Sequence, residues 1–257
     1  MQIDENRISD LEIYLIRMQR SILDKMFFVD KVFEPFDTIV DFGCANGELI
    51  KAMSQMFPEY RYVGYDISPE MIGAAKKNVP GAQFCTSWDE LGVSFESSLL
   101  NISSTIHEVW SYGTPESIAE FRERAFRSGF RYICIRDMMF DDSLDRPADA
   151  EQLSAVRASA DYAGQLADFE SVRGEIKTQK QLVHYLLKYK YTQNWEREVR
   201  EDYFPVSEGE LLAGVEADYR TVFCEKFTLP YTRWQIGKDF GFTLRDTTHI
   251  KVILEHK

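Results

Sequence analysis

The stretch Thr38-Ile39-Val40-Asp41-Phe42-Gly43-Cys44-Ala45-Asn46-Gly47 decides how this chain folds. Its first three residues are β-branched and suit a central buried strand. Gly43 and Gly47 relieve crowding where backbone bends sharply or a ligand comes close. A helix is predicted from Glu48, and its first turn offers unpaired N–H groups and the positive end of the helix dipole. The loop between strand and helix therefore favours a carboxylate, phosphate or hydroxyl-bearing ligand, and the unit reads as a ligand pocket.

Outward from this unit the pattern repeats. Residues 48–57 read as a helix closed by Pro58, and residues 61–67 as a second strand carrying Asp66 near its end. Ser68 and Pro69 suit the N-cap and first position of a second helix, which Pro80 and Gly81 stop. Residues 82–85 form a third strand, followed by a turn containing Thr86, Ser87, Trp88 and Asp89. This β-α-β-α-β order is the rhythm of a parallel doubly wound sheet with right-handed crossovers. A fourth strand at 99–103 leaves through His107 and Glu108, a helix fills 115–127, and a fifth strand at 131–136 leads to Asp137. Open α/β sheets put ligand-contacting residues at that end of a strand.

Between residues 140 and about 215 the rhythm breaks. A polar, acidic loop with a short helix at 141–158 precedes helices at 178–191 and 194–202, without a central strand, so the segment reads as an insertion. Strands at 221–229 and 248–255, with a helix at 231–240 between them, restore the sheet. At the front, residues 9–32 have helical spacing, and this helix either covers the pocket or packs on a sheet edge; Arg17 and Arg20 share one side of it. One domain is expected in four parts: a helical cap (1–36), a ligand-binding core (37–140), a helical insertion or lid (141–218), and C-terminal strands completing the sheet (219–257).

Composition agrees with this division. The 257 residues are 44% apolar and 14% aromatic, enough for one sizeable core. Against 30 basic residues stand 42 acidic ones, and the net charge of −12 opposes broad attachment to nucleic acid or an anionic membrane. Cys44, Cys85, Cys134 and Cys224 lie far apart, without C-x-x-C pairs or histidines at metal-ligand spacing, so buried free thiols and no metal site are expected. The polar N-terminus lacks a secretory pattern and no apolar run approaches the roughly 18 residues of a membrane span. A cytoplasmic protein working in solution is the expectation.

The glycine spacing departs from the G-x-G-x-x-G of dinucleotide sites, because Ala45 stands between Gly43 and Gly47. The loop Asp41-Phe42-Gly43-Cys44-Ala45-Asn46-Gly47 instead resembles motif I of the class I S-adenosylmethionine-dependent methyltransferases, an acid-x-G-x-x-x-G pattern. The resemblance runs over roughly residues 37–137 and implies a Rossmann-like, doubly wound, mostly parallel α/β sheet with an antiparallel end. It implies S-adenosyl-L-methionine as cofactor, held by Asp41, Gly43, Cys44, Ala45, Asn46, Gly47 and Ser103. It further implies that Asp66 accepts from the ribose hydroxyls, Ile67 lines the adenine, and Ser87 and Trp88 contact the base. Simpler readings stand beside these: turn glycines, a capping Asp66, a core Trp88.

Methyl transfer asks the protein mainly to orient a nucleophile in line with the sulfonium and keep it unprotonated. His107 in STIHEVW, just beyond the fourth strand, is the candidate catalytic base or polar orienter, with Glu108 beside it. A histidine merely hydrogen-bonded at a helix start is the competing reading. No Asn-Pro-Pro-aromatic sequence follows the fourth strand, so exocyclic amines of bases are not indicated as acceptors. The stretch 177–204 interleaves Lys177, Lys180, Lys188, Lys190, Arg197 and Arg200 with His184, Tyr185, Tyr189, Tyr191, Trp195 and Tyr203. It suits either a substrate lid or an amphipathic packing helix. A small-molecule O- or N-methyltransferase is the leading expectation; an RNA methyltransferase, a noncatalytic relative and a nicotinamide oxidoreductase are the alternatives.

Overall fold

A computed structural model describes residues 21–32 and 35–257. Seven strands, β1 (Thr38–Phe42), β2 (Arg61–Tyr65), β3 (Gln83–Cys85), β4 (Ser98–Ser103), β5 (Tyr132–Met138), β6 (Tyr219–Phe227) and β7 (His249–His256), form one sheet in the order β3-β2-β1-β4-β5-β7-β6. β1 lies parallel between β2 and β4, with Val40 opposite both Val63 and Leu100. β7 runs antiparallel between β5 and β6. Every residue of β1 and β4 is buried, the pattern of strands covered on both faces.

The covering helices follow their sequence signals. They are α1 (Ile22–Lys25), α2 (Glu48–Met56), α3 (Pro69–Asn78), α4 (Ile106–Tyr112) and α5 (Pro115–Phe126). Ser68 caps α3 by accepting from Met71 N, and Thr114 and Ser117 form a reciprocal capping box ahead of Pro115. One face of the sheet packs Val40, Leu100 and Ile133 against Phe121 and Phe126; the other packs Ile39, Leu99 and Cys134 against Ile50, Met53 and Ile72.

Residues 141–218 contribute α6 (Ala150–Ala158), α7 (Ala163–Arg173), α8 (Gln179–Lys188), α9 (Trp195–Arg200) and α10 (Glu208–Leu212). They have a core of their own, built on Phe169, Leu182, Tyr185, Leu186 and Phe204, which also takes Ile236 and Phe240 from α11 (Pro230–Phe240).

The boundaries differ from the sequence reading where side chains, not propensity, set them. β2 ends at Tyr65, which frees Asp66 and Ile67 for the loop, and β5 runs on to Met138, which puts Asp137 inside the strand. Cys44, Cys85 and Cys134 are buried as expected, whereas Cys224 is exposed because β6 is an edge strand largely open on its faces. The part of the expected first helix that includes Arg17 and Arg20 lies outside the described residues.

Candidate functional site

The loop after β1 sits at the carboxyl edge of the sheet, where β1 and β4 diverge to opposite connections. Gly43, Ala45 and Gly47 all have left-handed φ, +75°, +45° and +79°. At Gly43 a side chain is excluded twice over, because a Cβ would also stand 2.5 Å from Thr105 Oγ1. Ala45 holds its strained conformation because its N–H donates to Asp66 Oδ2 at 2.9 Å. Three further loop amides are engaged: Gly43 N and Cys44 N donate to Tyr65 O, and Gly47 N donates to Cys44 O. Asp66 Oδ1 accepts from Ser68 N at 2.9 Å. Loop and second-strand end are thus one hydrogen-bonded unit.

Beneath the loop, Asp41 is buried and its Oδ1 accepts from Asn101 Nδ2 at 2.7 Å. Burial pushes the Asp41 carboxyl up to about 6, with the Asn101 bond opposing. Burial also raises the Cys44 thiol, which keeps it protonated and unreactive. A small cleft opens here, bordered by Lys25, Asp41, Gly43, Cys44, Glu48 and Ser103. Among the described residues Ser103 Oγ and Asn46 Oδ1 are buried without hydrogen-bond partners, an arrangement that suits a polar ligand at this edge.

The remaining expected cofactor contacts divide into exposed and buried. Ile67 is 80% exposed beside Asp66, an apolar side chain offered to solvent. Ser87 is half-buried at the end of β3. Trp88 packs inside the core against Phe42, Tyr65 and Phe130, with ring centroids 5.6 to 6.0 Å away. That packing is the core-anchor reading, and it leaves the indole only 7% exposed.

His107, in the first turn of α4, is buried between two carboxylates. Nδ1 lies 2.6 Å from Asp137 Oδ1 and Nε2 lies 3.3 Å from Glu201 Oε1. Asp137 also accepts from Thr105 N and Ile106 N, which fixes it at the start of α4. Burial alone would lower the imidazole, but the charge and hydrogen bond of Asp137, then those of Glu201, outweigh it and push it up to about 10. Nδ1 is hydrogen-bonded to Asp137, while Glu201 Oε1 faces Nε2 at ion-pair distance without a hydrogen bond of its own among the described residues.

Glu201 and its neighbours come from residues 141–218, so they were not legible beside His107 in the sequence. Arg197 binds Glu201 Oε2 at 2.9 Å and Glu108 Oε1 at 2.8 Å. Ligand atoms of His107, Glu108 and Glu201 lie within 4.8 Å of one another, but Arg197 already supplies the positive charge between the two glutamates. The basic and aromatic stretch is largely turned inward. Lys188, Tyr185 and Tyr189 are buried, Tyr203 contacts the His107 ring edge-on at 5.7 Å, and Lys188 donates to the carbonyls of Glu198 and Glu201. Packing, rather than an open aromatic platform, is what these side chains do here.

Residues 39–129 match a family model described as a methyltransferase domain. Trans-aconitate 2-methyltransferases of Acidovorax sp. (strain JS42) and Acidovorax ebreus (strain TPSY) are each 39% identical over 46 residues, 18% of this chain and 18% of each relative. Among solved structures, the plantazolicin methyltransferase BamL in complex with a triazolic desmethylPZN analog and SAH is similar at a TM-score of 0.49 and 14% identity, over 92% of this chain and 84% of that one. A TehB-like SAM-dependent methyltransferase from Corynebacterium glutamicum is similar at a TM-score of 0.47 and 13% identity, over 96% and 97%.

Proposed function

We propose that this chain, whose residues 39–129 match a family model described as a methyltransferase domain, is a class I S-adenosylmethionine-dependent methyltransferase that transfers a methyl group to an oxygen or nitrogen of a small-molecule acceptor. The observation that carries the reading is the hydrogen-bonded unit of the Gly43–Gly47 loop and Asp66, set at the carboxyl edge beside the buried, unpartnered Ser103 Oγ.

S-adenosylmethionine supplies a sulfonium methyl that is already electrophilic, so the protein's work is binding and alignment. Asp66 spends one hydrogen bond per oxygen on backbone N–H groups and keeps lone pairs for ribose hydroxyls. Ile67 offers an exposed apolar side chain to the adenine, with Ser87 near it, while Trp88 stiffens the wall from behind. Gly43 to Gly47, Asp41 and Ser103 take the amino-acid end. His107 orients: as a fixed imidazolium it joins β5, α4 and the 141–218 segment, which acts as the lid shaping the acceptor pocket.

A small acceptor is favoured over RNA because the aromatic and basic side chains of residues 177–204 are mostly consumed by packing and the net charge is −12. Titration calorimetry with S-adenosylmethionine and S-adenosylhomocysteine is the direct test. Absence of binding by the folded protein at about millimolar ligand would end the reading. Labelled methyl transfer to total RNA rather than to a metabolite extract would replace the acceptor class, and binding without transfer to either would leave a noncatalytic relative.

A further inference from the structure

A buried lysine without a counter-ion borders the cleft beside the loop. Lys25, the last residue of α1, is 5% exposed, and among the described residues no carboxylate oxygen lies within ion-pair distance of its Nζ. The adjacent Asp24 is taken by Arg136 and Lys251, which pins α1 to β5 and β7 and holds Lys25 where it is. Burial first, then the charge of Arg136, lower its pKa; Asp41, Asp137 and Glu108 act oppositely but from beyond contact. A largely buried ammonium without a carboxylate partner is costly.

The loop sharpens what the missing partner is. A helix-start loop would ordinarily meet an anion with its own amides. Here the N–H groups of Gly43, Cys44, Ala45 and Gly47 are already bonded within the protein. Those four amides are already engaged, and Lys25 is the side-chain cation that borders the cleft. Asp41 faces the same cleft; Asn101 occupies one of its oxygens and the other takes no hydrogen bond among the described residues. The two opposite charges border one space without pairing with each other, which is the separation an inserted α-amino acid zwitterion would bridge.

We propose that Lys25 binds the α-carboxylate of the donor's amino-acid tail, with Asp41 facing its α-ammonium, so that α1 is a cofactor-binding element lying outside the matched methyltransferase domain. The proposal rests on the cofactor reading above and names the residue that distinguishes the intact donor from a nucleoside lacking the tail. Asp41 was already expected at this site from its motif; Lys25 belongs to no motif and is assigned by position, burial and want of a partner.

Calorimetry on the full chain, with S-adenosylhomocysteine and 5′-methylthioadenosine as probes, tests it. Wild-type protein should bind the homocysteine-bearing ligand more tightly than the truncated nucleoside. Lys25→Met should weaken S-adenosylhomocysteine by about tenfold or more and leave methylthioadenosine within about twofold, while Lys25→Arg should recover most of the loss. Without ligand, Lys25→Met should unfold at the same temperature or higher, because it removes an uncompensated buried charge. Unchanged S-adenosylhomocysteine affinity in Lys25→Met, or equal weakening of both probes, would overturn the assignment. Failure of folded wild-type protein to bind S-adenosylhomocysteine would instead overturn the cofactor reading beneath it.

Discussion

Replacing Glu201 by Gln isolates the electrostatics that join residues 141–218 to the sheet. The His107 imidazole rises from an ordinary 6.5 to about 10 in the fold. A raised pKa means that stability is fully present below the unfolded value and is lost as pH climbs through the folded one. Linkage then gives roughly 3 kcal/mol from this ring at about pH 8 and under about 0.5 kcal/mol at about pH 10. Asp137 supplies the larger share of that upward push, so Glu201→Gln should forfeit about 1 kcal/mol of it near pH 8. Loss of the charged contact with Arg197 adds roughly 1.5–3 kcal/mol at either pH.

The expected result is a variant less stable by about 2–4 kcal/mol near pH 8, with the gap narrowing by about 1 kcal/mol near pH 10. Lys188 acts in the opposite sense. Burial lowers it to about 7, so its stability contribution grows with pH between the folded and unfolded values. Above about pH 8 it is mostly neutral in both folded proteins and cancels from the difference. Urea unfolding of wild type and variant at the two pH values, extrapolated linearly to water, reads the gap. A gap that stays constant across this range would refute the assignment of a charged His107 held by Asp137 and Glu201.

Further outcomes can be measured on the same preparation. Gly43→Ala meets both a left-handed backbone and the Thr105 side chain, itself donating to Phe42 O and Ser103 O, so thermal unfolding should report a loss of roughly 2 kcal/mol or more, with weakened S-adenosylhomocysteine binding. Asp66→Asn turns an amide donor toward Ala45 N or Ser68 N and should weaken nucleoside binding by about tenfold or more, methylthioadenosine included, in contrast to Lys25→Met. Maleimide should label Cys224 alone in the folded state and all four cysteines in urea; rapid labelling of Cys44, Cys85 or Cys134 without denaturant would contradict their burial.

Much of the core was legible because it is written locally. The run 38–47 has strand, turn and helix signals in sequence order, and Ser68-Pro69 and Thr114-Pro115 announce helices by capping chemistry that needs only neighbours. The antiparallel β7 followed from the resemblance and not from its own pattern. What could not be read is what depends on distant partners. His107 looks like a free histidine until Asp137, 30 residues on, and Glu201, 94 residues on, close around it. Trp88, assigned to a base by its place after the third strand, is taken by three aromatic rings from β1, β2 and the chain before β5. Lys25 carried no signal, since an isolated lysine in a helical pattern reads as surface.

The bonded amides of the loop after β1 have a thermodynamic corollary. A segment that is mobile before binding must surrender conformational entropy when its ligand arrives, and affinity falls by that amount. Here Tyr65 O holds Gly43 and Cys44, Cys44 O holds Gly47, and Asp66 holds Ala45. The ordering was completed during folding, with core burial as its driving force. The ligand-binding edge is therefore preorganised, and the free energy of association is left to go into contacts instead of into shaping the receptor.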